Sequence, residues 1–307
     1  MRRALLAGAA LLVLAVGAVA AFLVVRYRQG QDVRGSSTEE FVTTEAAPAK
    51  PPEPGVFWST YGFDPERRRA VDYVHRPPFR VRWTFRARTL VEFPPAIGYG
   101  RLYFTNNYGR LYAVNTKTGK RAWKKDSGRC VAASPAVWEH LVIQTYLNAH
   151  PCNRGNEKGL RGLIVARFAG FGELRWQTRI APSESSPVVV GGIAYVGDWS
   201  GRVYALYAQT GKVKWVYRTR GKIKSGVTVS GDRVFVGSYD HHLYALRRSN
   251  GELLWRTSAQ QRLGKRGTFY STPAAAYGRC TSHSRSTGRR RCCRVSRRSW
   301  RPPTKWR

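Results

Sequence analysis

The sequence predicts an all-β chain: a β-propeller of four-stranded antiparallel blades, incomplete or truncated, preceded by one N-terminal transmembrane helix. The first observation behind this is a rhythm of alanine, glycine and tryptophan. It recurs as Ala113-Gly119-Trp123, Ala166-Gly172-Trp176, Ala205-Gly211-Trp215 and Ala245-Gly251-Trp255. With Trp83, successive tryptophans lie 40, 53, 39 and 40 residues apart. A period near 40 means stacked units, none of which buries its apolar face alone. The second observation is that each unit divides into four short β-rich runs. The third is an uncharged apolar stretch, Ala4 to Val25.

That stretch opens the chain and defines a segment 1–28. Its 22 residues make roughly 33 Å of helix, enough to cross a bilayer. Arg2 and Arg3 precede it and Arg26 and Arg28 follow, so flanking charge orients it only weakly. The short N-terminal tail favours an inside N-terminus, with the propeller on the extracytoplasmic side of the cell membrane. A cleaved signal peptide ending near Ala18-Val19-Ala20 is the alternative. Residues 29–56 are rich in Ser, Thr and Pro and read as a tether.

The repeats occupy 57–279. In the cleanest copy, Pro187–Val190, Ile193–Val196, Arg202–Tyr207 and Lys212–Tyr217 read as four strands separated by Gly/Asp/Ser turns. The glycine before each fourth strand permits positive φ in a bulged hairpin. The alanines offer room beside the large indole, whose N–H needs a carbonyl partner. The expected role of these residues is to fasten blades together. No segment after residue 30 keeps an apolar period of 3.6 long enough for a helix.

Residues 280–307 break the rhythm. Tyr270 to Arg279 repeats the first strand and turn of a blade, yet a run with nine arginines, one lysine, three cysteines and no acidic residue follows. Two readings stand: a frame change near Arg279, or a disordered basic tail that binds an anionic surface. Net charge is +35, of which this run supplies ten. Such a field attracts anionic partners, but the basic residues are scattered through every blade and no nucleic-acid module is present, so no specific nucleic-acid partner is expected.

Cys130 lies at the start of the second repeat and Cys152 in its insertion, Asn148 to Gly162. A disulfide between them is expected in an exported domain, and two free thiols in a cytosolic one. Asp240-His241-His242 is the only local cluster of metal-ligand types, and it reads as a turn with exposed imidazoles. No catalytic, cofactor-binding or metal residue is assigned.

Ala113-x-Asn115-x-x-Thr118-Gly119-x-x-x-Trp123 resembles the tryptophan-docking repeat of the pyrroloquinoline quinone (PQQ) enzyme family of propellers. Ala205 to Trp215 follows it closely, and Trp58 to Asp64 is similar to the opening segment of such proteins. Phe168, Tyr207 and Arg247 depart from the polar third position that Asn115 matches. The resemblance implies a fold shared by two classes. One is the noncatalytic propellers of outer-membrane protein assembly, which receive peptide segments and use no cofactor. The other is the quinoprotein dehydrogenases, with PQQ against a vicinal disulfide, a carboxylate base and calcium. Cys292-Cys293 is vicinal but lies in the basic run. The expected function is a membrane-anchored, noncatalytic binding scaffold in the cell envelope with protein or peptide partners. A dehydrogenase fragment and a small-ligand sensor at the propeller axis are the alternatives.

Overall fold

The computed structural model describes residues 17–24, 57–71, 76–152, 161–264, 267–276, 279–286 and 289–295. It divides into two units, Met1–Ala49 and Lys50–Arg307. In the first unit, residues 17–24 form an exposed helix, α1. Among the described residues no helix is long and apolar enough to cross a membrane. The rest of the expected span, the tether 29–56 and residues 296–307 lie outside the described residues.

In the second unit the strands group into five sheets. The first blade holds β1 (Ala96–Gly98), β2 (Arg101–Thr105), β3 (Arg110–Asn115) and β4 (Arg121–Asp126). The second holds β5 (Ala136–Trp138), β6 (Leu141–Tyr146), β7 (Gly162–Phe168) and β8 (Leu174–Ile180). The third holds β9 (Val188–Val190), β10 (Ile193–Gly197), β11 (Arg202–Tyr207) and β12 (Val213–Arg218). The fourth holds β13 (Thr228–Ser230), β14 (Arg233–Gly237), β15 (His242–Arg247) and β16 (Leu253–Ser258). All four are antiparallel meanders, with the middle strands buried and the fourth strand largely exposed. First strands of successive blades touch in order, β1 to β5 to β9 to β13 to β18 (Ala274–Ala276). They form the inner rim of the assembly.

The repeat residues hold successive blades together. Within a blade, each alanine pairs directly with its own tryptophan, and a bulge follows the alanine. The indole itself reaches forward to the next blade. Trp123 Nε1 donates to Ala169 O at 3.0 Å, Trp176 Nε1 to Ala208 O at 2.8 Å and Trp215 Nε1 to Arg248 O at 3.0 Å. Trp83 does the same to Thr116 O at 2.9 Å. Each indole lies flat on the next blade's glycine: a Cβ on Gly119, Gly172, Gly211 or Gly251 would sit 2.4–2.9 Å from its ring atoms. Those glycines also have φ between 68° and 79°. They are therefore required twice, for the turn and for the close approach. The alanine sits beside its own tryptophan within the blade, and the surface on which the indole lies is the glycine of the following repeat.

The departures at the third position have a simple cause. Gly119, Gly172, Gly211 and Gly251 each donate their N–H to the carbonyl of Asn115, Phe168, Tyr207 and Arg247 respectively. The turn is closed by backbone atoms. Side chains add to it differently in each blade: Asn115 Oδ1 accepts from Lys117 and Thr118 N–H, Gly172 O from the Arg167 guanidinium, Thr210 Oγ1 from Lys212 N–H and Asn250 Oδ1 from Glu252 N–H.

Residues 58–69 form a hub that visits every blade in order. Trp58 exchanges two backbone bonds with Ile97, and Ser59 O accepts from Val137 N–H. Thr60 Oγ1 donates to Pro187 O at 2.7 Å. Pro65 O and Glu66 O accept from Val229 and Ala275 N–H, each at 2.9 Å. Arg67, 2% exposed, lies at the centre. It donates to Val227 O, Ser186 O, Pro187 O, Tyr61 O and Thr60 Oγ1. Burial lowers its pKa to about 9, which leaves it charged at neutral pH. The carbonyls compensate a cation that would otherwise be costly to bury.

Two elements depart from the sequence expectations. A five-residue helix, α2 (Ala259–Leu263), follows β16, closed by a capping box between Ser258 and Gln261 and by Gly264 at φ 68°. It is too short for its period to register, although Ser-x-x-Gln is a start signal. The second lies in the basic run, for which the sequence left open a frame change near Arg279 or a disordered basic tail. There, β19 (Arg279–Ser286) pairs with β18, with β17 (Thr268–Phe269) and with β20 (Arg289–Val295). Cys280 of β19 is buried with Phe235, Leu243, Phe269 and Ala275, so the strand is packed against the fourth blade as well as hydrogen-bonded.

Candidate functional site

The connections from each fourth strand to the next blade gather at one end of the inner rim, together with turns between second and third strands. They line an open cavity of about 1050 Å³. Glu92, Asn107, Tyr108, the Cys130–Ala132 stretch, His150, Cys152, Glu184, Trp199 and Lys224 form its wall. A smaller cavity of about 210 Å³ shares Ala132, Glu184 and Lys224 with it and reaches Tyr61 and Arg69 of the hub. Through these shared residues the two make one mouth, beside the inner rim, that borders the hub.

Polar groups in the mouth are largely engaged with one another. Lys224 Nζ lies 3.1 Å from Glu184 Oε1 and 4.6 Å from the centroid of the Trp199 ring. Lys222 Nζ is 5.7 Å from the same ring. Asn107 Oδ1 accepts from Thr89 Oγ1 at 2.8 Å. The wall thus offers cationic, anionic and aromatic surface within one concavity. Such a mixture suits a peptide segment with both side-chain classes.

Cys130 and Cys152 are joined in a disulfide with Cα atoms 5.4 Å apart, and it forms part of this wall. It ties the connection between β4 and β5 to the start of the insertion after β6. His150 packs beside it, its ring stacked on Tyr108 with centroids 5.2 Å apart. Behind the wall, burial pushes the Tyr146 hydroxyl up to about 12.

A sequence profile of the family described as Outer membrane protein assembly factor BamB matches residues 80–153 and 160–291, well over half of the chain. The chain belongs to this family of PQQ-like propeller repeats. It is 29% identical over 171 residues to the outer membrane protein assembly factor BamB of Burkholderia pseudomallei, covering 53% of this chain and 41% of that protein. It is also 33% identical over 153 residues to a quinoprotein ethanol dehydrogenase of Pseudomonas aeruginosa, covering 42% of this chain and 24% of the enzyme. The chain therefore spans less than half the length of either relative. Among solved structures, the computationally designed Ika8 protein superposes with a TM-score of 0.50 at 14% identity, over 66% of this chain and 57% of that one. That likeness concerns the fold alone.

None of the BamB-type repeat residues lines the mouth. The alanine-glycine-tryptophan sets from Ala113 to Trp255 lie within and between blades. Asp240-His241-His242 is likewise away from both cavities and serves a turn. Asp240 accepts from Tyr244 Oη at 2.6 Å and from Arg220 and His242 N–H. Of the candidate site residues named from sequence, Cys130 and Cys152 reach the larger cavity, and Tyr61 of the opening segment and Tyr270 reach the smaller one. His150, Glu184, Trp199 and Lys224 were missed, because each is an isolated residue on a different connection and no local motif unites them.

Proposed function

We propose that this chain is a noncatalytic binding scaffold of the cell envelope that receives an extended peptide segment of a protein partner in the mouth. The observation that carries this reading is the mouth itself: open, continuous with the smaller cavity at the hub, and lined by Tyr108, Trp199, Lys224 and Glu92. The outer blade edges are poorer candidates. They carry exposed Lys and Arg, as in Lys124 on β4, Arg175 on β8 and Lys214 on β12, and such residues oppose strand addition. The Cys130–Cys152 disulfide fits an oxidising, exported location. Ala4–Val25 is proposed as the single-pass anchor that holds the blades there.

The lining does not fit a quinone with its calcium ion. Calcium takes 6–8 oxygen ligands. Here Glu184 is held by Lys224, Asn107 Oδ1 accepts from Thr89, and Glu92 is the remaining carboxylate of the wall. The disulfide joins cysteines separated by 22 positions and is not a vicinal pair. The test is direct: purified, disulfide-intact protein supplied with PQQ, calcium and a primary alcohol. No dye reduction above buffer is expected, and sustained turnover would overturn the noncatalytic reading.

A further inference from the structure

We infer that Cys130, His150 and Cys152 form a redox-gated metal site in which reduction of the disulfide exposes two thiolates and an imidazole to a single zinc-class cation. The inference is independent of what binds in the mouth. It starts from geometry: one ligand atom from each of the three residues lies within 4.8 Å of the others. His150 Nδ1 is 3.3 Å from Cys152 Sγ and 3.9 Å from Cys130 Sγ. In a tetrahedral zinc site, bonds of about 2.3 Å to sulfur and about 2.0 Å to nitrogen place sulfur and nitrogen ligands roughly 3.5 Å apart. The imidazole already stands at that separation from both sulfurs. Only the two sulfur atoms have to part, which is what reduction permits.

The tautomer of His150 supports the same reading. Its Nε2 lies 3.3 Å from Tyr108 O. A carbonyl oxygen only accepts, so Nε2 carries the proton and donates. Nδ1 is then the ring nitrogen that faces the two sulfurs and is placed to ligate. A ligating histidine held by a backbone carbonyl through its other ring nitrogen is the usual outer-shell arrangement of metal sites. Stacking on Tyr108 fixes the ring plane as well. The cluster borders the mouth, so a fourth position would open towards it, as in three-ligand zinc sites with an exchangeable water.

The chemistry balances with a dithiol as reductant. Its two sulfhydryls give two electrons and two protons to the Cys130–Cys152 bond, and it leaves as a disulfide. The cation then displaces the two thiol protons and binds both thiolates and the neutral imidazole.

The test uses the full chain. After reduction with a phosphine or dithiol, zinc is added or withheld, the thiols are alkylated, and modification is read peptide by peptide. Zinc should protect Cys130 and Cys152 together in the reduced wild type. His150→Ala should lower the affinity at least about tenfold, since even loss of an outer-shell partner costs 10–100-fold. Cobalt in place of zinc should give thiolate-to-metal charge-transfer bands and tetrahedral visible bands at one equivalent. Protein with the disulfide intact should give neither. Equal alkylation with and without zinc would overturn the inference, as would protection unchanged in His150→Ala. Loss of the fold on reduction, seen by circular dichroism, would also overturn it, because the site requires both connections to stay in place.

Discussion

Replacing Gly211 by alanine tests the inter-blade contact on which the architecture rests. Its φ is 70°, so alanine there costs about 1 kcal/mol in backbone strain. The new Cβ would also lie 2.4 Å from Trp176 Cε3, 2.6 Å from Cδ2 and 2.9 Å from Thr178 Oγ1. The indole has to move, which breaks its bond to Ala208 O, worth about 1 kcal/mol. Packing of a buried ring against the turn is lost as well, for about another 1–2 kcal/mol. The expected total is about 3–4 kcal/mol. Gly231→Ala is the control: its φ is 57°, and nothing lies within 4 Å of the added carbon. It should cost only the strain, about 1 kcal/mol. With a urea slope of about 3 kcal/mol/M, the midpoint should fall by about 1 M for Gly211→Ala and about 0.3 M for Gly231→Ala. Circular dichroism reads both without depending on the indole. Equal shifts would refute the docking argument.

Further outcomes follow from the same structure. Arg67→Met should destabilise by about 3 kcal/mol or more, because buried carbonyls of Val227 and Ser186 lose their donor; limited proteolysis should then cut within 58–69 first. Tyr146 and Tyr195 are both buried, and burial raises each pKa to about 12. The unfolded chain loses these protons from about pH 10, before the folded one does. Stability therefore falls as pH rises from about 10 to about 12, by roughly 3 kcal/mol per residue once complete, and tyrosinate absorbance should rise together with unfolding. If instead these tyrosines titrate near 10 in folded protein, their burial has been misjudged. For the basic run, a frame change near Arg279 predicts further Gly-x-x-x-Trp repeats in another frame of the gene; finding none would remove that reading.

Much of the blade structure was legible because it rests on local chemistry. Glycine at a left-handed turn, a small residue opposite an indole and short β-rich runs each leave a mark at a fixed spacing. Which copy touches which did not show, because a period reveals repetition and not direction. Trp176 meets Gly211 rather than Gly172, and only the stacking of blades decides that. The hub was visible as an opening segment, but many of its bonds are made by backbone atoms, which carry no residue signature, and Arg67 at its centre lies beyond Trp58 to Asp64. The mouth was the least legible part. Glu184, Trp199 and Lys224 come from separate connections and meet only when the inner strands line up. His150 was a lone histidine in a loop until the structure set it against the two sulfurs.

The central proposal, that a partner enters through the mouth, is tested most directly by site-specific photo-cross-linking in the intact native cell. A photoreactive residue in place of Trp199 should give discrete protein adducts, while one in place of Lys214 on the outer edge of the third blade should give none. Adducts from position 214 with a silent position 199 would contradict the account and move the binding surface to the blade edges.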